Sequence, residues 1–203
     1  MRGCFMRSVL VWLMVFCGSI LTATPARGDE STCRPAELFV ADDESPLFEL
    51  QADVTIALAG AVVTGSTPAD GVFWSNEPQQ VTYESAREFH LCVVDEPTLH
   101  TVAEALRRQL NQEAVLTFAH LPEANAVMIT VPNIDVAHFR EAFVADSAAH
   151  HRLLGGSVTT DHTLILIADN DDLDLARRLV EAAGGRWSAA TIAYGRREFV
   201  NSA

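Results

Sequence analysis

The chain has no lysine. All 14 of its basic residues are arginine, set against 27 Asp and Glu, for a formal net charge of −13 over 203 residues. Arginine-favouring codons of a GC-rich genome account for the missing lysine. The scarcity of positive charge excludes more: no basic patch interrupts the acidic chain, and nucleic acid and anionic membrane surfaces both require one. Signature motifs are lacking as well. There is no Gly-x-Ser-x-Gly, no Gly-x-x-x-x-Gly-Lys and no Gly-x-Gly-x-x-Gly. The glycine pairs Gly155-Gly156 and Gly184-Gly185 follow predicted helices and read as caps, not as phosphate loops. Long apolar runs are confined to residues 9–21, short of the roughly 20 residues that a membrane span needs.

That run has the layout of a secretory leader. Arg2 and Arg7 precede it, small residues follow, and Ala26-Arg27-Gly28 fits a cleavage site before Asp29. Cys17 follows Val15-Phe16, a poor match to a lipoprotein signal. With 1–28 set aside as a signal peptide, 27 acidic residues face 11 arginines, a charge of −16. The reading is an exported protein, periplasmic or extracellular, with no stable membrane insertion after cleavage. Of four cysteines, Cys4 and Cys17 leave with the leader. Cys33 and Cys92 remain, and an even pair in an oxidising compartment predicts one disulfide. The competing arrangement is a buried Cys92 with a free Cys33.

The most legible stretch is 87–120. Residues 89–94 alternate as a strand, with Phe89, Leu91 and Val93 on one face and His90, Cys92 and Val94 on the other. Asp95-Glu96-Pro97 then starts a helix: the carboxylates meet the free N–H groups, and proline suits the first turn. Leu99, Val102, Ala103, Leu106 and Leu110 form its apolar stripe. Residues 114–118 resume as a strand.

Around this unit, residues 29–50 are expected to form a mobile acidic arm with one apolar segment at 38–40. Residues 54–63 read as a strand, 65–71 as a turn, 72–74 as a brief strand and 77–85 as a polar loop. The order after His120 is strand (126–131), helix (135–153), strand (158–160), strand (163–168), helix (172–183) and strand (187–199). That is βαββαβ, the plan of a ferredoxin-like unit. Arg107-Arg108 and Arg177-Arg178 sit on corresponding helices 70 residues apart. The predicted fold class is α+β, an antiparallel sheet with helices on one face, in two tandem ferredoxin-like halves. The first half (51–121) is degenerate, its first helix replaced by 64–80; the second spans 122–203.

The helix running into Leu110-Asn111-Gln112-Glu113-Ala114-Val115-Leu116 resembles a family of small exported bacterial proteins of unknown function. In that family a helix ends in a similar Gln-Glu-(Ser/Ala)-Val-Leu before the last strand of a ferredoxin-like unit. The match covers 87–118, and the family's proline- and tryptophan-containing middle segment is absent. The resemblance implies fold and export, and nothing about chemistry.

Candidate chemistry centres on histidine. His90 and Cys92 share a strand face, and His120 falls where a neighbouring strand would place it, so His90 and His120 are candidate zinc or copper ligands. The pattern is far less specific than a motif such as HExxH, and half-buried packing is the competing role. His150-His151 suits a helix C-terminus. Asp161 and His162 are adjacent, so they point apart on a strand. The acidic run 169–174 fails the calcium-loop test, with Leu173 at position 5, Asp174 at position 6 and Val180 at position 12; it reads as helix-capping charge. Trp74 and Trp187 are expected in core packing. Three functions stay open: a non-enzymatic binding or structural protein of the cell envelope, a small ferredoxin-like-barrel enzyme using a cleft histidine, and a periplasmic metal-binding protein. The partner is a protein or small molecule, with a homo-oligomer as a further option.

Overall fold

The computed structural model describes residues 33–76, 79–93, 95–122 and 124–201, without the side chains of 72–84. The expected leader lies outside the described residues, as does the side chain of Trp74. The element order is β1 (Arg34–Ala41), α1 (Phe48–Leu58), β2 (Val62–Asn76), β3 (Gln79–Val93), α2 (Glu96–Gln109) and β4 (Ala114–His120), then β5 (Ala126–Val131), α3 (Val136–Ala145), α4 (Ser147–Arg152), β6 (Gly155–Thr159), β7 (Leu164–Asp169), α5 (Leu173–Ala182) and β8 (Thr191–Asn201). The eight strands pair antiparallel in the order β1-β3-β2-β6-β7-β5-β8-β4, and β4 closes on β1 to make a barrel. Closure gives every strand two neighbours, while 62–68 of β2 and 79–85 of β3 pair only within their own hairpin.

Strand alternation sorts the core into three parts. Ala36, Leu38 and Val40 of β1 join Phe89, Leu91 and Val93 of β3 under α1 and α2. Val127, Ile129 and Val131 of β5 join Leu164, Leu166 and Ala168 of β7 under α3 and α5. The opposite faces meet inside the barrel, where Phe39, Leu116, Phe118, Met128, Leu154, Ile165 and Ile167 pack together. The helices thus cover the outer face, and the inner face makes its own core.

Helix α2 follows the sequence closely. The Asp95 side chain accepts from the Thr98 N–H at 2.8 Å, and Leu99, Val102, Ala103 and Leu106 are buried. Asp135 and Asp146 each cap a helix, so the single helix expected over 135–153 is two. Gly184, at φ +83°, closes α5 in the left-handed conformation that favours glycine.

Several expectations are corrected. The apolar part of the acidic arm is a full strand, β1, buried between β3 and β4. Residues 54–58 are helical, because Phe48, Ala52 and Ile56 bury one face at four-residue spacing. The first helix is therefore present, and 64–80 belongs to a long hairpin of 15-residue strands. Polar residues persist in strand there because β2 is paired on both sides, with β3 and β6. Gly155-Gly156 opens β6 instead of capping a helix, and a Cβ on Gly156 would fall 2.9 Å from the Phe139 ring. Asp172 sits at the N-cap of α5, but its side chain makes no capping hydrogen bond and is instead buried in an ion pair with Arg152 of α4.

Candidate functional site

Four titratable side chains share the inner face of the first three paired strands. In the β1–β3 register Glu37 faces His90 and Phe39 faces Glu88; in β1–β4, Glu37 faces Phe118. Two residues beyond Phe118, His120 lies on the same face. Alternation thus delivers Glu37, Glu88, His90 and His120 to one wall of the lumen, although each comes from a strand whose other face is apolar.

Two carboxyl groups are taken out of water here. Glu37 is 7% exposed and Glu88 is 3% exposed. They resolve their charges differently. The Nε2 of His120 sits 2.7 Å from both carboxylate oxygens of Glu37. This hydrogen bond, against the opposing effect of burial, raises the His120 pKa above its ordinary value. The Phe118 ring meets the imidazole edge-on at 5.4 Å. Opposite Phe118 on β8, Arg197 shares the same row, and Gly195 has no room for a Cβ beside the Phe118 ring and the Ala119 carbonyl. A larger residue at 195 would displace the ring that braces His120.

Glu88 has no such cation on it. Burial first, and repulsion from Glu37 second, push its pKa up to about 8. Near neutral pH it is a carboxylic acid, a hydrogen-bond donor set in a largely apolar lumen. The Nε2 of His90 lies 3.9 Å from the Glu88 carboxyl group and also contacts Thr67 Oγ1 at 3.3 Å. His90 is the open side of the cluster, with its side chain 40% exposed against 26% for His120. A buried acid, a histidine hydrogen-bonded to a second buried acid and an accessible imidazole thus share one wall, a combination of shifted titratable groups typical of proton-handling sites.

The structure brings together both sequence-predicted histidines but gives them separate carboxylate neighbours. A metal ion bound through His120 Nε2 would have to displace Glu37. Among the described residues, no group of three or more His, Cys, Asp and Glu is arranged to hold a metal. Cys92 lies in the same strand, and its sulfur is at disulfide distance from Cys33, with S–S 2.23 Å and Cα–Cα 5.2 Å. His150 and His151 end α4 as expected, with His150 stacked on Phe143 at 4.4 Å. His162 occupies the β6–β7 turn with φ +64°. Trp187 packs partly buried against the second helical core.

Glu37 and Glu88 were not singled out by sequence reasoning. The signal available was a lone acid within the apolar run Ala36-Glu37-Leu38-Phe39-Val40, at a position whose neighbours on both sides are buried.

An open cleft of about 400 Å³ is lined by Asn125, Asp169, Asn170, Asp171 and Arg197. A second, of about 250 Å³, lies among Asp42, Asp70, Ser85 and Arg87. No helix among the described residues is long and apolar enough to cross a membrane.

No protein-family model and no curated protein matches this chain. Among solved structures it is similar to an anthrone oxidase-like protein, at 10% identity and a TM-score of 0.26, over 86% of this chain and 95% of that one. It is also similar to the regulatory subunit of aspartate kinase from Thermus thermophilus in its ligand-free form, at 12% identity and a TM-score of 0.29, over 74% of this chain and 93% of that one. Likeness at this level carries no argument about function, and the chain's reading rests on its own residues.

Proposed function

We propose that this chain is an exported barrel protein that binds a small polar molecule against Glu37, Glu88, His90 and His120 and exchanges a proton with it. The observation that carries the reading is Glu88, a buried carboxyl group with a pKa of about 8 beside an accessible imidazole. Near neutral pH it donates a hydrogen bond to a carbonyl or carboxylate oxygen, while His90 meets the ligand from the open side. Glu37 holds His120 charged and oriented. Convergence of several titratable groups on an apolar wall favours a small barrel enzyme with a cleft histidine over a purely structural envelope protein. A metal role for His90 and His120 finds less support, since Glu37 already occupies His120.

The same reading takes the fold as two tandem ferredoxin-like halves. Its support is the order βαββαβ occurring twice, with arginine pairs on α2 and α5, the second helix of each run. The resemblance over 87–118 to exported proteins is in keeping with that plan. Export is supported by the leader-like residues 1–28 and by the Cys33–Cys92 distance.

The test is carboxyl NMR of the protein labelled at glutamate, titrated with small ketones, amides and carboxylic acids. The expected result is a Glu88 resonance that titrates near pH 8 and shifts with at least one of these probes, with binding lost above that pH and in Glu88→Ala, and made independent of pH in Glu88→Gln, whose amide still donates. A Glu88 that titrates in the ordinary carboxylate range, or probes that never perturb Glu88, His90 or His120, would overturn the proposal.

A further inference from the structure

Helix α1 is apolar on the side that faces solvent. Phe48, Ala52 and Ile56 are buried against the barrel, yet Leu47, Leu50, Val54 and Leu58 are 55%, 60%, 51% and 85% exposed. Their spacing puts these four on one stripe of the helix, and Val62, four residues on and 62% exposed, continues it in sequence. Of the seven large hydrophobic residues exposed among the described residues, five belong to this run. No charge falls on the stripe, in a chain that carries −13 overall. A helix that is apolar all round is normally covered, and a contiguous exposed patch of this kind marks an interaction surface.

The edges of the stripe say what covers it. On one edge stand Glu49 and Asp53, with Arg87, itself shared with Asp42, paired to Glu49 at 3.2 Å, so carboxylates outnumber the cation there; the Oδ1 of Asp53 is buried without a hydrogen-bond partner. On the other lies the C-terminal end of α2, where Gln109 donates to the Gln51 carbonyl at 3.3 Å and two arginines, Arg107 and the 73% exposed Arg108, share the single carboxylate of Glu104, leaving a net positive charge. One edge is acidic and the other carries a cation, at nearly the same height along α1.

We infer that α1 is a homodimer interface, in which two copies pack their Leu47–Leu50–Val54–Leu58 stripes side by side about a two-fold axis parallel to the helix. Charge selects this partner and this orientation. With the helices parallel, the acidic edge of each copy faces the Arg108 edge of the other. Antiparallel packing would instead set Glu49 and Asp53 against their own counterparts. The contact is isologous, so it closes as a dimer and does not propagate. An anionic membrane is the poorer occupant, because Glu49 and Asp53 flank the stripe.

The experiment is sedimentation velocity of the full chain from low to high micromolar concentration. It is paired with Val54→Glu, whose exposed position leaves the fold intact by circular dichroism. The wild type is expected as a dimer and Val54→Glu as a monomer. Arg108→Glu weakens the dimer, and combining it with Asp53→Arg restores it. Leu47→Cys, oxidised, is expected to give a covalent dimer, because parallel packing brings the two residues 47 together. A wild type that stays monomeric, a Val54→Glu dimer as tight as wild type, or a stripe that binds anionic vesicles instead of itself would overturn the inference. A dimer in which Leu47→Cys fails to cross-link would overturn the parallel arrangement.

Discussion

Glu88 lies near Glu37 on the inner wall, and the raised pKa of its buried carboxyl group makes the stability of the barrel depend on pH. The folded pKa of Glu88, about 8, stands above the ordinary glutamate value of 4.5, so the folded state binds the extra proton between those values. Stability is therefore highest below about pH 4.5 on this account and falls as pH rises toward 8. The full span is worth on the order of 5 kcal/mol. His120 acts in the same direction: its raised pKa makes the pair with Glu37 contribute fully below the ordinary histidine range and lose that contribution as pH climbs through the raised value. The exposed acids Asp95, Asp135 and Asp161 oppose this at the acid end, since their lowered pKa values give stability that is lost as pH falls. Urea unfolding followed across mildly acidic to mildly alkaline pH should show the wild type weakening with pH and Glu88→Gln losing most of that slope. Equal slopes in the two proteins would show that Glu88 ionises normally.

Helix α2 is the clearest case of sequence writing its own boundaries. Replacing Asp95 by alanine removes the acceptor of the Thr98 N–H and should cost about 1 kcal/mol, read as a lowered denaturation midpoint with an unchanged fold. The 87–118 stretch was legible because cap, apolar stripe and polar face all agree there. Helix α1 was not, for a physical reason: its outward residues Leu50, Val54 and Leu58 are as apolar as its inward ones, so no contrast marks the helical period. Val54, Ile56 and Leu58 also alternate as a strand would. The hairpin of β2 and β3 was hidden because its Gly, Ser, Thr and Asp residues are held extended by pairing with distant strands, not by local preference. At the candidate site, the histidines were visible as residue types. The acids that set their chemistry were not, because which of many acidic residues turns inward is decided by register.

Across the whole molecule, neither βαββαβ run owns the inner core. Phe39, Leu116 and Phe118 come from the first and Met128, Ile165 and Ile167 from the second. The two runs are joined by β2–β6 and β4–β8 pairing. Polar ties cross the same boundary, with His100 of α2 against Glu198 of β8 at 2.9 Å and Arg196 of β8 on Glu96 of α2. The cysteine pair, by contrast, lies entirely in the first run, tying the chain ahead of β1 to β3 across a separation of 59 residues. A cross-link of that loop length stabilises by about 4 kcal/mol through the unfolded chain. If the barrel unfolds as one unit, that loss cannot stay local. Hydrogen exchange of the β7 amides (Leu164–Asp169), which lie in the second run, should therefore accelerate when Cys33 and Cys92 are both replaced by serine, by the same factor as the β3 amides. Two halves that unfold separately would give a different result: faster exchange in β3 while β7 keeps its wild-type protection. Because the lumen is shared and its walls are paired on both seams, the first outcome is the expected one.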